Sequence, residues 1–350
     1  MAGDRMNDSI GIGVLGLGRM GQVHCRLISD CPGLELVAGS SGSEELRHES
    51  AANFDAKFYH THDELLQDPR VEWVVVATTT NRHKPWALKA IDAGKNLIIE
   101  KPVALTFEEA EEIFAAAQGK NVLATVYNSR RWDADFQFVQ RTLASGTLGD
   151  VYRIESRYTD FDAGWGAWGA QGDKNPWRLM KDFGGGILND WGPHLFDQIF
   201  LLVDSSLSTV LAKLYSRIWS EQVDDHFWSE LLFKGGVSVL IEASNNYRIA
   251  QSRWCVVGTE GTLWVKGGSP DAWGPMIIRQ SSRNGIEEFN QELPHLELSS
   301  GFYRDFLKAL RAGDPLPVQP AQVLKVMKLI ETVRESNGSG KSLPFTCPRQ

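Results

Sequence analysis

The sequence predicts an α/β protein with an N-terminal doubly wound parallel sheet and a C-terminal α+β domain built on an open, mostly antiparallel sheet. Residues 12–127 alternate short apolar runs with helix-period segments, whereas alternating, strand-like segments dominate from residue 151 onward. The length of 350 residues also exceeds the size at which one hydrophobic core grows efficiently. We therefore expect two domains, residues 1–130 and 131–350, with a C-terminal helix able to pack back on the first.

Five apolar segments are the predicted strands of the first domain. Three of them are dense in Val, Ile and Leu without polar alternation, which is typical of parallel strands covered by helices on both faces. The strands are predicted at residues 12–15, 34–39, 73–77, 96–100 and 122–127. One intervening helix ends at Gly94, and another opens on a capping box formed by Thr106 and Glu109 and ends near Gly119.

The second domain combines short strands with three helices. Its strands are predicted at residues 151–159, 207–215, 227–233, 237–244, 254–258 and 262–266. Helices are predicted near residues 188–203, 302–311 and 321–334, and residues 336–340 are predicted as a short loop. Because these helices cannot cover both faces of the sheet, we expect the open face to bind another subunit in a homodimer or homotetramer.

Composition excludes several classes of partner. The net charge is -8, the isoelectric point is near 5.6 and no run of Lys or Arg occurs, so nucleic acid is not expected as a partner. No stretch approaches the roughly 18 apolar residues of a membrane span, and residues 1–10 lack the apolar core of a signal peptide. Cys25, Cys31, Cys255 and Cys347 form neither a disulfide framework nor a zinc motif. We expect a cytoplasmic protein with no membrane partner.

Gly16, Gly18 and Gly21 form a G-x-G-x-x-G turn between the first predicted strand and a helix. Glycines at this spacing permit a tight turn, close approach of the backbone to a pyrophosphate, and contact between helix and strand. The helix N-terminus, where Arg19 and Met20 lie, offers N–H groups to the anion. Its place in a strand–turn–helix–strand unit makes the motif specific. The sequence therefore predicts a Rossmann domain that binds a dinucleotide.

The end of the second predicted strand bears on which dinucleotide binds. An NAD site usually has an acid there to hold the ribose 2′-hydroxyl, but this strand continues into Ser40 and Ser41. These hydroxyls can bond a 2′-phosphate, and Arg47 or Arg19 can pair with it. Arg47 can equally be a solvated helix residue. We therefore expect NADP or NAD as the cofactor, with NADP slightly favoured.

Two motifs beyond the glycine turn resemble those of a known enzyme family. Glu100-Lys101-Pro102 follows the strand predicted at residues 96–100, and residues 184–197 read GGGILNDWGPHLFD. Together they resemble the glucose-fructose oxidoreductase / inositol dehydrogenase family (Gfo/Idh/MocA), which pairs E-K-P with G-G-G-x-L-x-D-x-G-x-H-x-x-D. Residues 77–83 are similar to the family's A-T-P-N-x-x-H, with Thr79 in place of proline. The resemblance covers nearly the whole chain and implies a nicotinamide-dependent oxidoreductase.

The resemblance implies that Lys101, Asp190 and His194 form the catalytic group. Oxidation of a secondary alcohol removes the hydroxyl proton as hydride leaves the carbon, so the site needs a base and a group that stabilises charge on oxygen. We expect His194 to take the proton, Lys101 to bind the substrate oxygen, and Asp190 to orient one or both. The expected reaction is hydride transfer between NAD(P) and a CH–OH group of a sugar, cyclitol or sugar derivative.

The spacing of Asp190, His194 and Asp197 places them on one helix face if the helix begins before Asp190. Pro193 complicates this prediction, because proline prefers the first turn of a helix. We expect a structural role for Asp197. Two carboxylates and an imidazole can also hold a metal. Since the nicotinamide reaction already accounts for these residues, no metal is predicted.

Further contacts to the cofactor are implied by the same resemblance. They involve Thr78, Thr79, His83, Glu100, Lys101, Asn128, Trp177 and Arg178. His83 can equally be a solvent-facing histidine at a helix start.

A glycine-rich segment supplies candidate substrate contacts, because aromatic faces stack on the C–H faces of pyranoses. Its tryptophans are Trp165, Trp168, Trp177 and Trp191. Asp162, Lys174 and Arg178 can bind hydroxyls nearby. We predict a polyol or sugar substrate that contacts Trp165 together with the catalytic group. The same tryptophans can instead pack a subunit interface.

Two other functions remain open at this point. One is a glycoside-cleaving enzyme that uses NAD transiently, oxidising a sugar carbon before elimination and then returning the hydride. Such enzymes usually lack E-K-P, which is present here. The other is a non-catalytic, dinucleotide-sensing regulator, which has no need of Lys101, Asp190 and His194.

Overall fold

The computed structural model describes residues 9–161, 176–267, 276–282, 285–291 and 300–346. For the two ranges between 276 and 291, only the backbone is described. Contacts divide the chain into two units, which we call the first unit and the second unit. The first unit is Met1–Asn128, Ala167–Trp177 and Ser299–Leu324, and the second unit is Ser129–Gly166, Arg178–Leu298 and Lys325–Gln350. None of the helices in these described ranges has the length and apolar character needed to cross a bilayer.

The first unit is built on a six-stranded sheet in which every neighbouring pair is parallel. Its strands are β1 (Ile10–Leu15), β2 (Leu34–Ser40), β3 (Lys57–Tyr59), β4 (Trp73–Val76), β5 (Asn96–Ile99) and β6 (Ala124–Val126). They are ordered β3-β2-β1-β4-β5-β6, the order of a doubly wound dinucleotide-binding fold. The predicted parallel sheet is confirmed. Strand β3 was not predicted, because its three residues form no buried apolar run.

Helices connect these strands, and a local capping signal marks the start of α5. They are α1 (Arg19–Ser29), α2 (Glu44–Asn53), α3 (His62–Leu66), α4 (His83–Asp92) and α5 (Phe107–Gly119). The Thr106 hydroxyl caps α5 by accepting the N–H of Glu109 at 3.2 Å. The Glu109 carboxylate accepts the N–H of Leu105 at 3.0 Å. The return bond of the predicted capping box is therefore shifted by one residue.

The chain returns to the first unit in α8 (Ser300–Ala312). Phe302, Tyr303 and Phe306 are fully buried there. Phe306 packs edge-on against Trp73 with ring centroids 4.7 Å apart, and Phe302 packs against Tyr127 at 4.9 Å. Helix α8 therefore completes the core beside β4 and the end of β6.

The second unit is built on a nine-stranded sheet ordered β14-β13-β12-β11-β7-β10-β9-β8-β15. Its strands are β7 (Val151–Thr159), β8 (Leu207–Tyr215), β9 (His226–Phe233), β10 (Ser238–Ser244), β11 (Trp254–Gly258), β12 (Gly261–Val265), β13 (Met276–Ser282), β14 (Gly285–Gln291) and β15 (Leu343–Pro344). Every pair is antiparallel except β7 with β10. The mostly antiparallel sheet is confirmed, with one parallel pairing at its centre.

Three helices accompany this sheet: α6 (Ala134–Ala144), α7 (Ile187–Leu202) and α9 (Pro320–Ser339). The prediction of a loop at residues 336–340 is wrong, because α9 continues to Ser339. Ser336 is fully buried, where its hydroxyl accepts the N–H of Ala212 at 3.0 Å and donates to the carbonyl of Lys341 at 2.7 Å. These two hydrogen bonds, one of them to a residue 124 positions away, outweigh the weak helix propensity of the Ser/Asn/Gly run.

The two faces of the second sheet differ in chemistry. One face packs on α7, where the ring of Phe227 meets Phe196 with centroids 5.9 Å apart. On the other face, Arg157 contacts Glu155 of its own strand at 2.6 Å and Glu242 of the neighbouring strand β10 at 3.2 Å. Strand alternation therefore produces an apolar face and a face of compensated charges.

A buried ion pair ties α7 to the short helical turn Ser129–Trp132. Arg131 donates from Nε and Nη2 to the two carboxylate oxygens of Asp197, at 2.7 and 2.6 Å. The two side chains are only 8% and 3% exposed. A bidentate, charge-assisted pair of this kind is strong and geometrically specific.

We predict that Asp197→Ala destabilises the second unit by about 3–5 kcal/mol, because it removes the carboxylate that binds the buried Arg131 guanidinium through two hydrogen bonds. Urea unfolding followed by tryptophan fluorescence measures the change. The double variant Arg131→Met with Asp197→Leu should recover much of the loss, since it removes both charges. Asp63→Ala, which breaks the exposed pair with Lys89, should cost about 0–1 kcal/mol. Equal losses in Asp197→Ala and Asp63→Ala would contradict the prediction.

Candidate functional site

The glycine turn links β1 to α1, and each glycine meets a different steric demand. Gly16 has φ +92, and a Cβ there would lie 2.7 Å from the carbonyl oxygen of Ala77. A Cβ at Gly21 would overlap the carbonyl oxygen of Gly16. At Gly18 nothing lies within 4 Å of that position. Gly16 and Gly21 therefore allow close packing, and Gly18 leaves space for a ligand.

The same turn fits a dinucleotide pyrophosphate. Helix α1 begins at Arg19, and its N-cap, Gly18, provides no side-chain hydrogen bond. The first-turn N–H groups of such a helix bind anions, and the helix dipole favours the negative charge. Arg19 is exposed and Met20 is half-buried at this end. The predicted turn residues thus lie together at the carboxyl edge of the sheet.

Ser40, Ser41 and Arg47 lie together at the end of β2. Ser41 is buried, and its carbonyl oxygen accepts a hydrogen bond from Nη1 of Arg47 at 2.6 Å. Ser40 is fully buried, and its hydroxyl lies 2.7 Å from Nδ1 of His62. No carboxylate occupies this strand end, in agreement with the sequence. Sequence reasoning did not identify His62 as the partner of Ser40.

The segment after β4 packs on the segment after β5 through His83. Its Nδ1 lies 2.9 Å from the carbonyl oxygen of Pro102, and its Nε2 lies 3.0 Å from that of Thr78. His83 is therefore a buried bridge and not a solvent-facing helix residue. Thr79 donates to Asn81 at 2.8 Å.

Glu100, Lys101 and Asn128 lie at the carboxyl ends of β5 and β6. Glu100 is buried, with Oε1 2.9 Å from Nε2 of His24 and Oε2 accepting the N–H of Lys101 at 3.0 Å. Burial alone would raise the pKa of Glu100, but the hydrogen bond and charge of His24, with the charge of Lys101, lower it below its usual value. Lys101 is half-buried, and Asn128 is buried.

In the second unit, α7 begins before Asp190, so Asp190 and His194 share one helix face as the spacing predicted. Pro193 lies inside the helix. The start of α7 is fixed by Asp224, whose carbonyl oxygen accepts the N–H of Ile187 at 2.8 Å and whose carboxylate accepts the N–H of Leu188 at 2.7 Å. This cap makes the early helix start possible.

Arg178 and an aromatic stack surround this helix face. Nε of Arg178 lies 3.7 Å from Oδ2 of Asp190, and Arg178 is buried. Trp191 stacks on Tyr158 with ring centroids 3.5 Å apart, and its edge approaches the imidazole of His194 at 5.9 Å. Trp191 therefore packs within the second unit. Trp177 is half-buried in the turn Trp177–Leu179.

Other predicted substrate contacts lie outside the described residues. These are Trp165, Trp168, Asp162 and Lys174. The residues that the structure does describe form two groups. The first unit assembles the glycine turn, the end of β2 and the segments around His83, Lys101 and Asn128, and the second unit assembles Arg178, Asp190 and His194. Lys101 belongs to the first unit and Asp190 with His194 to the second, so their convergence stays a prediction.

Comparison with known proteins identifies the family. Residues 10–128 match the family described as "Oxidoreductase family, NAD-binding Rossmann fold", and residues 136–264 match "GFO/IDH/MocA C-terminal domain". The chain belongs to the Gfo/Idh/MocA family. It is thus an NAD(P)-dependent oxidoreductase of a family that acts on CH–OH donors, as the resemblance implied.

Named relatives of this Gfo/Idh/MocA protein include two inositol dehydrogenases from Bacillus subtilis (strain 168). The chain is 27% identical to scyllo-inositol 2-dehydrogenase (NADP(+)) IolW over 98% of both chains. It is 26% identical to scyllo-inositol 2-dehydrogenase (NAD(+)), covering 74% of this chain and 75% of the other. Among solved structures, an NAD-binding protein from Listeria innocua has a TM-score of 0.83 and 30% identity, covering 96% of this chain and 97% of the other.

Several residues that support the site were not found by sequence reasoning. His24 follows Gly21 by three residues on the inner face of α1, so the helical period could have identified it as buried. Tyr303 contacts His24 from 279 residues away, and no local pattern indicates that contact. The same holds for Asp224, which caps a helix 36 residues before it.

We predict a loss of stability in mild acid that depends on His62. Burial, with the nearby Arg82 charge, lowers the pKa of His62 to about 4, whereas the unfolded chain has a value near 6.5. Below pH 6.5 the unfolded state therefore binds the proton first, and stability falls as pH decreases toward 4. The loss between pH 7 and pH 5 is roughly 2 kcal/mol.

Thermal melts of the native protein and of His62→Gln at these two pH values measure this contribution. The variant should lose less stability on acidification than the native protein. His48→Gln removes a histidine whose side chain is 79% exposed and should behave like the native protein. An identical acid response in His62→Gln would show that another group is responsible.

Proposed function

We propose that this protein transfers hydride between NADP and a CH–OH group of a cyclitol, sugar or sugar derivative. The observation that carries the proposal is the position of Lys101, directly after a buried Glu100 at the carboxyl edge of a sheet whose first turn fits a pyrophosphate. Ligands of doubly wound sheets bind at this edge. The family membership and the Asp190–His194 helix face support the same reaction.

The chemistry follows from three side chains. A bound nicotinamide supplies the hydride acceptor or donor. We propose that His194 takes the proton of the reacting hydroxyl and that Lys101 binds the substrate oxygen. Asp190 orients one or both of these side chains. An ammonium at the reacting oxygen stabilises the negative charge that develops there. Arg178, whose Nε lies 3.7 Å from Oδ2 of Asp190, places a positive charge beside that carboxylate.

A cyclitol or sugar is proposed as the substrate class. Two relatives are named scyllo-inositol 2-dehydrogenases, which supports a ring polyol for this chain. Trp165 is proposed to stack on that ring, as the sequence suggested. The glycoside-cleaving and regulatory alternatives have no supporting observation.

The preference for NADP over NAD is proposed from the end of β2. The Arg47 guanidinium is tethered to the carbonyl of Ser41 and lies beside the strand end where a 2′-phosphate binds in such folds. An acid at this position would repel the phosphate, and none is present. One relative is named for NADP and another for NAD, so the choice rests on these local residues.

We also propose a homo-oligomer formed through the open sheet face and a cytoplasmic location. Arg157, Glu155 and the buried Glu242 lie on the sheet face opposite α7, and we propose that an identical copy covers this face of compensated charges. The cytoplasmic location is proposed because Cys25, Cys31 and Cys255 are free thiols, as expected in a reducing compartment.

Nicotinamide absorbance with a panel of inositols, aldoses and anhydrosugars, each with NADP or NAD, tests the proposed reaction. We predict net reduction of the cofactor with at least one ring polyol. Lys101→Met and His194→Asn should each lower kcat at least about 100-fold while the Kd of the dinucleotide stays within a few-fold, because they remove groups used in proton transfer and charge stabilisation.

Matched controls are Lys308→Met and His60→Asn, which replace exposed residues of the same types. Both should retain native turnover. Product formation without net cofactor reduction, or dinucleotide binding with no turnover on any polyol, would rule out the proposed dehydrogenase.

Arg47→Ala is predicted to raise the Kd for NADP about 10- to 100-fold and to leave the Kd for NAD nearly unchanged, since a charged hydrogen bond to phosphate is worth roughly 1.5–3 kcal/mol. Titration of protein fluorescence with each dinucleotide measures both constants. Arg304→Ala, in which an exposed arginine of α8 is removed, serves as the control. If Arg47→Ala raised the Kd for NADP and the Kd for NAD by the same factor, a role for Arg47 at the 2′-phosphate would be contradicted.

A further inference from the structure

We propose that His24 is a positioning residue: a buried chain of hydrogen bonds, Tyr303–His24–Glu100, fixes the backbone of Lys101 against the helix that follows the glycine turn. The part of this inference that concerns turnover rests on the proposed function, in which Lys101 acts on the substrate. The structural part concerns residues of the first unit alone.

His24 joins two elements that a dehydrogenase must hold in register. Its Nε2 lies 2.9 Å from Oε1 of Glu100, and its Nδ1 lies 2.6 Å from the hydroxyl of Tyr303. The other carboxylate oxygen of Glu100 accepts the N–H of Lys101 at 3.0 Å. One carboxylate therefore connects the imidazole of α1 to the amide of Lys101.

Two aromatic rings fix the orientation of the imidazole. The ring of Tyr127 meets it edge-on with centroids 4.4 Å apart, and the ring of Tyr303 does so at 5.9 Å. Burial raises the pKa of Tyr303 well above its usual value, so its hydroxyl stays protonated in the hydrogen bond with Nδ1. The ionised Glu100 carboxylate can only accept, so Nε2 of His24 donates to it, and the phenol of Tyr303 is the partner of the other ring nitrogen.

Complete burial makes this chain sensitive to the loss of one member. His24 and Tyr303 are 0% exposed, and Glu100 is 5% exposed. A buried carboxylate that loses a hydrogen-bond partner has no water to replace it and must rearrange. Because the N–H of Lys101 is bonded to this carboxylate, a rearrangement of Glu100 changes the position of Lys101. Displacements of about 1 Å in a reacting group cost about 100-fold in rate.

A second histidine, His83, anchors the Lys101 segment after β5 independently of His24. His83 contacts the carbonyl oxygen of Pro102 at 2.9 Å, on the far side of Lys101 from Glu100. Loss of His24 therefore leaves one anchor of the segment in place. We expect His24 variants to remain folded while the Lys101 amide becomes more mobile.

Amide hydrogen exchange tests the structural part without any ligand. In His24→Asn, and in Tyr303→Phe, which removes only the hydroxyl, the amide of Lys101 should exchange at least about 10-fold faster than in the native protein. His60→Asn, which replaces an exposed histidine, should leave the rate unchanged. If His24→Asn does not fold, Tyr303→Phe decides the test. A native exchange rate at Lys101 in the folded variants would overturn the proposal.

A double-mutant cycle tests the part that concerns turnover. With the cofactor and polyol that give the highest rate in the panel above, His24→Asn should lower kcat about 10- to 100-fold and change the dinucleotide Kd less than about threefold. In a Lys101→Ala background the same substitution should have little further effect, because the side chain that it positions is absent. A loss of equal size in both backgrounds would indicate a merely structural role and overturn the proposal.

The failure of this inference is distinguishable from failure of the proposed function. Native turnover in Lys101→Ala would refute the role of Lys101 in the reaction, while the exchange result for His24→Asn would stand. Faster exchange with native kcat in His24→Asn would leave the proposed function intact and overturn the positioning role of His24.

Discussion

A carboxylate buried at the edge of a parallel sheet needs compensating donors, and this requirement organises the first unit. Glu100 stays ionised in its buried site because His24 and Lys101 stabilise its charge. To bring His24 to that carboxylate, α1 must lie against the end of β5, and α1 also carries the last glycine of the turn. The pyrophosphate-binding element and the lysine segment are therefore fixed by the same contacts. Tyr303 extends this constraint to α8.

The parts of the first unit that sequence predicts well are those set by local period and spacing. The strands β1, β4 and β5 are dense apolar runs because helices flank a parallel sheet, and the glycine turn follows from steric spacing. The Ser40–His62 bond and the His24–Tyr303 bond join residues 22 and 279 positions apart. Their formation depends on the folded topology, so no window of sequence contains the information.

In the second unit, sequence located strands β7 to β12, but it missed β13, β14 and β15 and did not reveal how the strands pair. Alternation predicts which residues face one side of β7, yet it is equally compatible with parallel or antiparallel neighbours, and β7 pairs with β10 in parallel. The spacing of α7 correctly placed Asp190 and His194 on one face, but only the fold reveals that Arg131 neutralises Asp197. This pair explains why the second acid on that face, Asp197, serves structure, as the sequence suggested.

Because the chain returns to the first unit in α8, the nucleotide-binding half is not encoded by one continuous stretch of sequence. A fragment ended at residue 128 would contain all six strands of the sheet but would lack Phe302, Tyr303 and Phe306. Aromatic surface around Trp73 and Tyr127 would then be exposed to water, with a corresponding tendency to aggregate. Recombination that exchanges substrate-binding halves between relatives therefore cannot use a single crossover at that boundary. It must preserve the later helix together with the early sheet.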